Sequence, residues 1–180
     1  MHSMIWCREV CGAAGLVVAA LAAGCSPALD WRELRPSEGH LSFMLPCKPS
    51  VQERQLPLAG QAVAMALQAC ATQGQTWGLA TADLGDPARV GPALAELGAA
   101  AAANIGGQVV ADREARIPGA TPNPGSRQLE LRGRQPGGRA VVMHVALFAH
   151  GTRVYQATVL GEQLGRDALD TFFGALRITP

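Results

Sequence analysis

Apolar residues in this chain recur with two spacings, one typical of helices and the other of strands. Between residues 86 and 107 the spacing is helical and predicts a single buried stripe of Val90, Leu94, Leu97, Ala101 and Ile105. Asp86-Pro87 favours the start of this helix, and Gly106-Gly107 favours its end. A second stripe predicts a C-terminal helix and consists of Leu164, Ala168, Leu169, Phe172, Phe173 and Leu176.

The segments between and before these helices are typical of strands. They alternate between apolar and polar residues or are apolar throughout, and they cover residues 40–45, 50–58, 61–70, 76–84, 126–134, 139–149 and 154–160. Residues 108–116 are a further candidate for a short strand. Short connections between neighbouring strands favour antiparallel pairing. We therefore expect an α+β domain over residues 40–180, with a single, mostly antiparallel sheet of about six or seven strands packed with two main helices.

An apolar run near the N-terminus shows neither the helical nor the strand spacing. Residues 12–24 read GAAGLVVAALAAG, a run of 13 small and apolar residues. That run is too short to cross a bilayer core as a helix, which takes about 20 residues, but it matches the apolar region of a secretion signal. The sequence thus predicts a signal-peptide helix over residues 1–24, followed by a short polar tether over residues 25–39 that contains Pro27 and Pro36.

The signal ends in Leu21-Ala22-Ala23-Gly24-Cys25, which resembles the lipobox of bacterial lipoproteins. The resemblance implies cleavage before Cys25 and attachment of a diacylglyceryl group and fatty acyl chains such as palmitate. These lipid chains would anchor the mature protein in a membrane. Ser26 is not the Asp that tends to retain similar lipoproteins in the inner membrane. We therefore expect the periplasmic face of the outer membrane rather than the inner membrane. The alternative is a non-lipidated signal peptide that contains a cysteine by chance.

The lipobox resemblance implies that Cys47 and Cys70 are the two cysteines that remain after signal removal and lipidation, and that they face an oxidising compartment. The strands on either side of Ala59-Gly60 predict a hairpin in which Cys70 faces position 49, one diagonal from Cys47 on the same side. A modest change of register or a bulge brings the pair to bonding distance, so we predict a disulfide; the alternative is two buried thiols. No metal is predicted here, because two thiolates alone are an incomplete ligand set.

Composition and motifs exclude several classes of function. The chain has 180 residues, 48% of them hydrophobic, and a formal net charge of +1 with no long run of either sign, so we expect no nucleic-acid partner. It contains no G-x-S-x-G, H-E-x-x-H, phosphate-loop or dinucleotide motif. We therefore expect no enzymatic activity, no catalytic residue, no metal site and no cofactor.

The polar residues that are candidates for catalysis or binding have simpler interpretations. His144 and His150 are six residues apart on one predicted strand, about 20 Å, which is too far to share a metal. His144 is expected to be a packed strand residue and His150 a turn residue.

Asp86 is expected to cap the first helix, and Asp83 is expected to lack partners for acid–base chemistry. Two carboxylates are expected on the exposed face of the last helix, Asp167 and Asp170. Four arginines either bind anionic lipid or glycan or, more simply, form an exposed hairpin face: Arg127, Arg132, Arg134 and Arg139.

Five segments after residue 40 carry a further resemblance. They are FMLPCKP, the Ala-rich helix after ADLGDPARV, the IPG loop, RVYQATVLG and the closing FFGALRI. Their pattern covers about three-quarters of the chain and resembles small bacterial envelope proteins of the PsbP-like α/β/α sandwich type. The resemblance implies a non-catalytic domain, often an assembly or accessory factor.

Two functions follow from these observations. The first is a membrane-anchored periplasmic accessory or interaction protein with an envelope protein as its partner. The alternative is a binding module for a small apolar or anionic ligand between sheet and helices. An enclosed apolar cavity lined by Met65, Met143 and Phe148 would favour the binding module. A tightly packed core with an exposed apolar patch near the proline-rich loop at residues 118–125 would favour the interaction protein.

Overall fold

A computed structural model describes residues 29–36 and 40–179. The predicted signal-peptide helix and Cys25 lie outside these residues. The elements of the described part are β1 (Arg32–Leu34), β2 (Leu41–Leu45), β3 (Ser50–Leu58), β4 (Gln61–Thr72), β5 (Gln75–Asp83), α1 (Val90–Asn104), β6 (Gln108–Glu114), β7 (Arg127–Arg134), β8 (Ala140–His150), β9 (Arg153–Gly161), α2 (Arg166–Gly174) and β10 (Arg177–Ile178). A 3-10 turn at Pro87–Arg89 leads into α1.

Seven strands form one antiparallel sheet in the order β3-β4-β5-β9-β8-β7-β6. The predicted hairpin is confirmed, because Leu58 pairs with Gln61 across Ala59 and Gly60. Both turn residues have positive φ, 48° and 82°, which is the backbone that a two-residue type I′ turn requires. The predicted α+β class, with a large antiparallel sheet and two helices, is confirmed.

A second, three-stranded sheet in the order β1-β2-β10 was not predicted. Its central strand β2 was expected to belong to the large sheet, and β1 lies within the segment predicted as a tether. The carboxylate of Glu33 in β1 joins the three strands, because it accepts hydrogen bonds from the Ser42 hydroxyl (2.8 Å) and from Arg177 (3.1 Å). The Ser42 hydrogen bond, together with Arg35 and Arg177, lowers the pKa of Glu33 to about 2.

Helix α1 covers one face of the large sheet, over β7, β8 and β9; we call this the α1 face. All five residues of the predicted stripe are buried, each 6% exposed or less. The helix approaches the sheet closely at Gly98, where an added Cβ would lie 3.2 Å from Leu147 Cδ1. The helical spacing in the sequence therefore identifies the buried side of α1.

Helix α2 and the small sheet cover the opposite face, which we call the α2 face. Its core centres on Trp77, which is fully buried and packs edge-on against Trp31 (5.7 Å between ring centroids) and Phe172 (5.4 Å). Trp31 therefore packs back on the domain. The C-terminal helix is shorter than its apolar stripe suggests, because Leu164 precedes it and Leu176 follows it.

A disulfide joins Cys47 to Cys70, with the two Cα atoms 5.9 Å apart, which confirms the predicted pairing. Ser50 pairs with Ala69, so Cys70 comes opposite position 49 as expected. Residues 46–49 are not part of a strand. Because this segment leaves the ladder, Cys47 is not held at the diagonal separation of about 7–8 Å and comes within the usual disulfide range.

Candidate binding cleft

An open cleft of about 560 Å³ lies between α2 and the α2 face of strands β7 and β8. It exists because α2 packs over Trp77 of β5 through Phe172, so its other flank is not closed against the sheet. The segment after β6 contributes Arg116 and Ile117 to one end. The cleft therefore has a sheet wall and a helix wall that differ in chemistry.

The sheet wall is polar because of the alternation along β7. Leu129 and Leu131 belong to the core under α1, so Gln128 and Glu130 lie on the opposite face and line the cleft. His144 of β8 stands directly opposite Glu130 in the ladder.

Arg113 of β6 completes the sheet wall. It stands opposite Gln128 in the ladder, and its Nε donates a hydrogen bond to Gln128 Oε1 at 3.3 Å. Hydrogen bonding to a neutral amide leaves the positive charge of the guanidinium uncompensated.

The helix wall is largely apolar. Leu164, Leu169 and Phe173 are partly buried against the core of the α2 face and also line the cleft. Arg166 and Asp170, one helical turn apart, add one charge of each sign. An apolar wall thus faces a wall of hydrogen-bonding groups across one open space.

The ion pairs around the cleft leave positive charge unmatched. Arg132 contacts Glu130 at 3.2 Å, and Arg116 contacts Glu114 at 3.1 Å. Within the described ranges, neither Arg113 nor Arg166 forms an ion pair with a carboxylate.

His144 is half-buried in the sheet wall. Burial lowers its pKa below the ordinary value of 6.5; Glu130 opposes this shift, and Arg113 adds to it. The imidazole is therefore neutral at pH 7, with one ring nitrogen able to donate and the other to accept a hydrogen bond. The sequence predicted a packed strand residue; the structure places the ring at a cleft surface.

The two aspartates before α1 have structural partners. Asp86 Oδ1 accepts a hydrogen bond from the Ala88 N–H at 2.8 Å and caps the 3-10 turn at Pro87–Arg89. The predicted cap therefore starts this turn, and α1 itself begins at Val90 without a side-chain cap. Asp83 accepts hydrogen bonds from the Thr152 hydroxyl (2.7 Å) and the Gly85 N–H (3.0 Å), and these, together with Arg153, lower its pKa. Asp83 therefore links the start of the helix to the β8–β9 turn.

The four hairpin arginines do not form one site. Arg127 lies on the α1 face, Arg132 and Arg134 lie on the opposite face, and Arg139 lies at the β7–β8 turn. Each has its own partner: Arg127 contacts Asp112 (2.7 Å), Arg132 contacts Glu130 (3.2 Å), Arg134 donates to the Gly138 carbonyl (2.8 Å) and Arg139 contacts Glu162 (3.1 Å). The structure thus shows separate surface pairs where the sequence left open a lipid- or glycan-binding cluster.

His150 lies at the far end of β8 from His144. Its Nδ1 is 3.1 Å from the Gly119 carbonyl of the proline-rich loop, and its ring centroid is 6.2 Å from that of His40. Among the described residues there is no group of three or more His, Cys, Asp or Glu side chains that could hold a metal. In the same part of the chain, none of the helices has the length and apolar character needed to span a membrane.

The enclosed cavity lined by Met65, Met143 and Phe148 that would favour the binding module does not form. Met143 and Phe148 are an odd number of residues apart on β8, so they point to opposite faces. Met65 lines a shallow groove on the α1 face with Leu56 and Leu67. Exposed large apolar side chains lie towards the two sheet edges, on β3 and β4 and on β6, rather than in the proline-rich loop: Val51, Leu67, Val109 and Val110.

Neither a scan against protein-family models nor a search of curated proteins found a match to this sequence. The function must therefore be inferred from the residues and their geometry.

Proposed function

We propose that this chain is a lipid-anchored periplasmic protein without catalytic activity, which acts as an accessory or interaction protein at the outer membrane. The observation that carries the proposal is the lipobox-like sequence ending at Cys25. The disulfide between Cys47 and Cys70 supports export, because structural disulfides persist in oxidising compartments and are rare in the cytosol.

The position of the anchor relative to the domain supports a role at the membrane surface. The Asp30 N–H donates to the Pro46 carbonyl at 2.9 Å, and Trp31 packs against Trp77. Only four residue steps separate Cys25 from Leu29, and an extended chain spans at most about 3.6 Å per step. The lipid would therefore hold Leu29, the first described residue, within about 14 Å of Cys25 at the bilayer surface.

Lipid anchoring of this type is effectively permanent. Each buried methylene contributes about 0.8 kcal/mol, and a single myristoyl chain binds only reversibly. A lipoprotein with two or three chains gains on the order of 20 kcal/mol or more before other terms are considered. Residence at the membrane would thus not require a protein receptor.

The sheet edges support an interaction role. β3 and β6 are the edge strands of the large sheet, and each has features that discourage indiscriminate strand pairing. β3 contains Pro57, and β6 has an irregular register between Val109 and Ala111 and ends in charged residues. Val109 and Val110 are nevertheless 46% and 51% exposed, which leaves apolar surface that a partner protein would cover.

Cell fractionation of Cys25→Ala tests the anchor. We expect this variant to accumulate as an unprocessed precursor or as a soluble periplasmic protein. Cys11→Ala is the matched control, because Cys11 lies in the segment predicted to be removed, and it should fractionate as wild type. If Cys25→Ala loses its leader and remains in the membrane at wild-type levels, the anchor is wrong.

A substitution at the next position tests the choice of membrane. Ser26→Asp is expected to move the protein from the outer to the inner membrane fraction, and Ser26→Thr is expected to leave it in place. An unchanged distribution of Ser26→Asp would contradict the outer-membrane assignment while leaving the lipid anchor intact.

Photo-crosslinking in intact cells tests the interaction role. A photoreactive residue at Val110 should give a discrete crosslinked product with an envelope protein, whereas the same residue at Gln135, in the exposed β7–β8 turn, should not. Equal labelling from both positions, or no product from Val110, would count against a partner at this edge.

A further inference from the structure

We infer that the cleft between α2 and strands β7 and β8 binds an amphiphile with one oxyanion head, carboxylate or phosphate, and an apolar chain. The site is independent of Cys25 and would operate whether or not the protein is lipidated. Such a site would correspond to the alternative function considered from the sequence, a binding module for a small ligand between sheet and helices.

The head of the ligand would lie between Arg113 and Arg166. Both residues line the cleft, and neither has a carboxylate ion-pair partner within the described residues. A guanidinium offers paired N–H donors that match the two oxygens of a carboxylate or phosphate. Gln128 and the neutral His144 ring add hydrogen-bonding capacity on the same wall.

The carboxylates of the cleft offset this charge only in part. Glu130 is already paired with Arg132, and Asp170, one helical turn from Arg166, supplies a single negative charge against the two guanidinium groups of Arg113 and Arg166. Arg116 adds a third guanidinium beside the opening, although it is shared with Glu114.

The chain of the ligand would lie along the helix wall. Leu164, Leu169 and Phe173 present a continuous apolar surface, and Ile117 adds to it from the loop after β6. The volume of about 560 Å³ falls within the range of about 300–1,000 Å³ typical of small-molecule sites.

The two walls together restrict the ligand class. An inorganic anion would compensate the arginines but leave the apolar wall exposed to water. A neutral alkyl chain would cover the apolar wall but displace water from the guanidinium groups without replacing its hydrogen bonds, which is unfavourable. A ligand with both an oxyanion and an apolar chain satisfies both walls.

Photoaffinity labelling of the mature protein in phosphatidylcholine nanodiscs tests the proposal. The probe is a laurate derivative with a diazirine at the end of its chain, and mass spectrometry maps the labelled residues. We expect labelling in the α2 segment around Leu169 and Phe173. Competition by laurate or by dodecyl phosphate identifies the preferred head group. Inorganic phosphate and dodecanol at the same concentrations should not compete.

Three variants separate the site from non-specific partitioning into lipid. Arg113→Gln combined with Arg166→Gln should reduce specific labelling at least tenfold, and Leu169→Glu should abolish it. Arg54→Gln is the matched control, because Arg54 is an exposed arginine on β3 away from the cleft, and it should label as wild type. Unfolding midpoints of all variants are measured to establish that they are folded.

Three outcomes would overturn the proposal. Equal competition by dodecanol would show a site that recognises the chain alone. Competition by inorganic phosphate would show a simple anion site. Wild-type labelling of the double arginine variant would show that the guanidinium groups do not bind the head.

Discussion

Removal of the Cys47–Cys70 disulfide is expected to lower the free energy of unfolding by about 3 kcal/mol. The two cysteines are 23 residues apart in sequence, and on the chain-entropy model a crosslink over that distance restricts the unfolded chain by about 3 kcal/mol. For a domain of this size, 1 kcal/mol shifts the unfolding midpoint by about 2–4 °C, so the loss of the bridge should lower it by about 6–12 °C.

The structure indicates how to separate the crosslink from side-chain packing. Cys70 is only 8% exposed and packs in the core of the α2 face, so a substitution there also removes sulfur contacts. Reduction of the wild-type protein breaks the bond and keeps both sulfur atoms. The double variant Cys47→Ala/Cys70→Ala removes the bond and the sulfur atoms together.

Thermal unfolding of the purified protein, with and without reductant, separates the effect of the bond from the effect of the sulfur contacts. Fluorescence of Trp31 and Trp77, which pack against each other in the core of the α2 face, reports the transition. Reductant should lower the wild-type midpoint by about 6–12 °C and leave the double variant unchanged. If thiol titration shows that the bond has been reduced and the midpoint does not move, the chain-entropy reasoning is refuted.

Three further predictions concern a closely packed glycine, a capping residue and a hydrogen-bonded carboxylate. Gly133→Ala should destabilise the fold by about 1–3 kcal/mol, because the added Cβ would lie 2.3 Å from a backbone carbonyl oxygen, whereas Gly137→Ala, with no atom within 4 Å, should leave the urea midpoint unchanged. Asp86→Ala should cost about 1 kcal/mol in the same assay through loss of the helix cap, and an unchanged midpoint would contradict that role. The hydrogen bonds that lower the pKa of Asp83 below 3.8 stabilise the fold above the unfolded-state pKa, and this contribution is lost as the pH falls through the folded-state pKa. Asp83→Asn should therefore make stability less dependent on pH below about 4, and an identical acid profile would disprove the linkage.

Local signals in the sequence predicted most of the large sheet and both helices. Ala59-Gly60 marks a hairpin because its two residues adopt positive φ, and Asp86-Pro87 marks a helix start because the side chain caps and the proline needs no N–H partner. The disulfide followed from the hairpin register, since Ala59-Gly60 determines which residue faces Cys70.

Long-range pairings were not predictable in the same way. β10 at Arg177–Ile178 pairs with β2 at Leu41–Leu45, and two residues at the end of the chain carry no periodic signal of their own. The cleft was not predictable for the same reason, because Arg113, His144 and Arg166 come together only when α2 folds over the sheet. The alternation of Gln128 and Glu130 with Leu129 and Leu131 was the one signal that pointed to a polar sheet face.

Intact-mass analysis of the protein purified from membranes tests the proposed anchor most directly. The predicted mass is that of residues 25–180 with a diacylglyceryl group and fatty acyl chains attached at Cys25. An unmodified cysteine at that position, or a chain that still carries residues 1–24, would contradict the proposed anchor and the cellular location inferred from it.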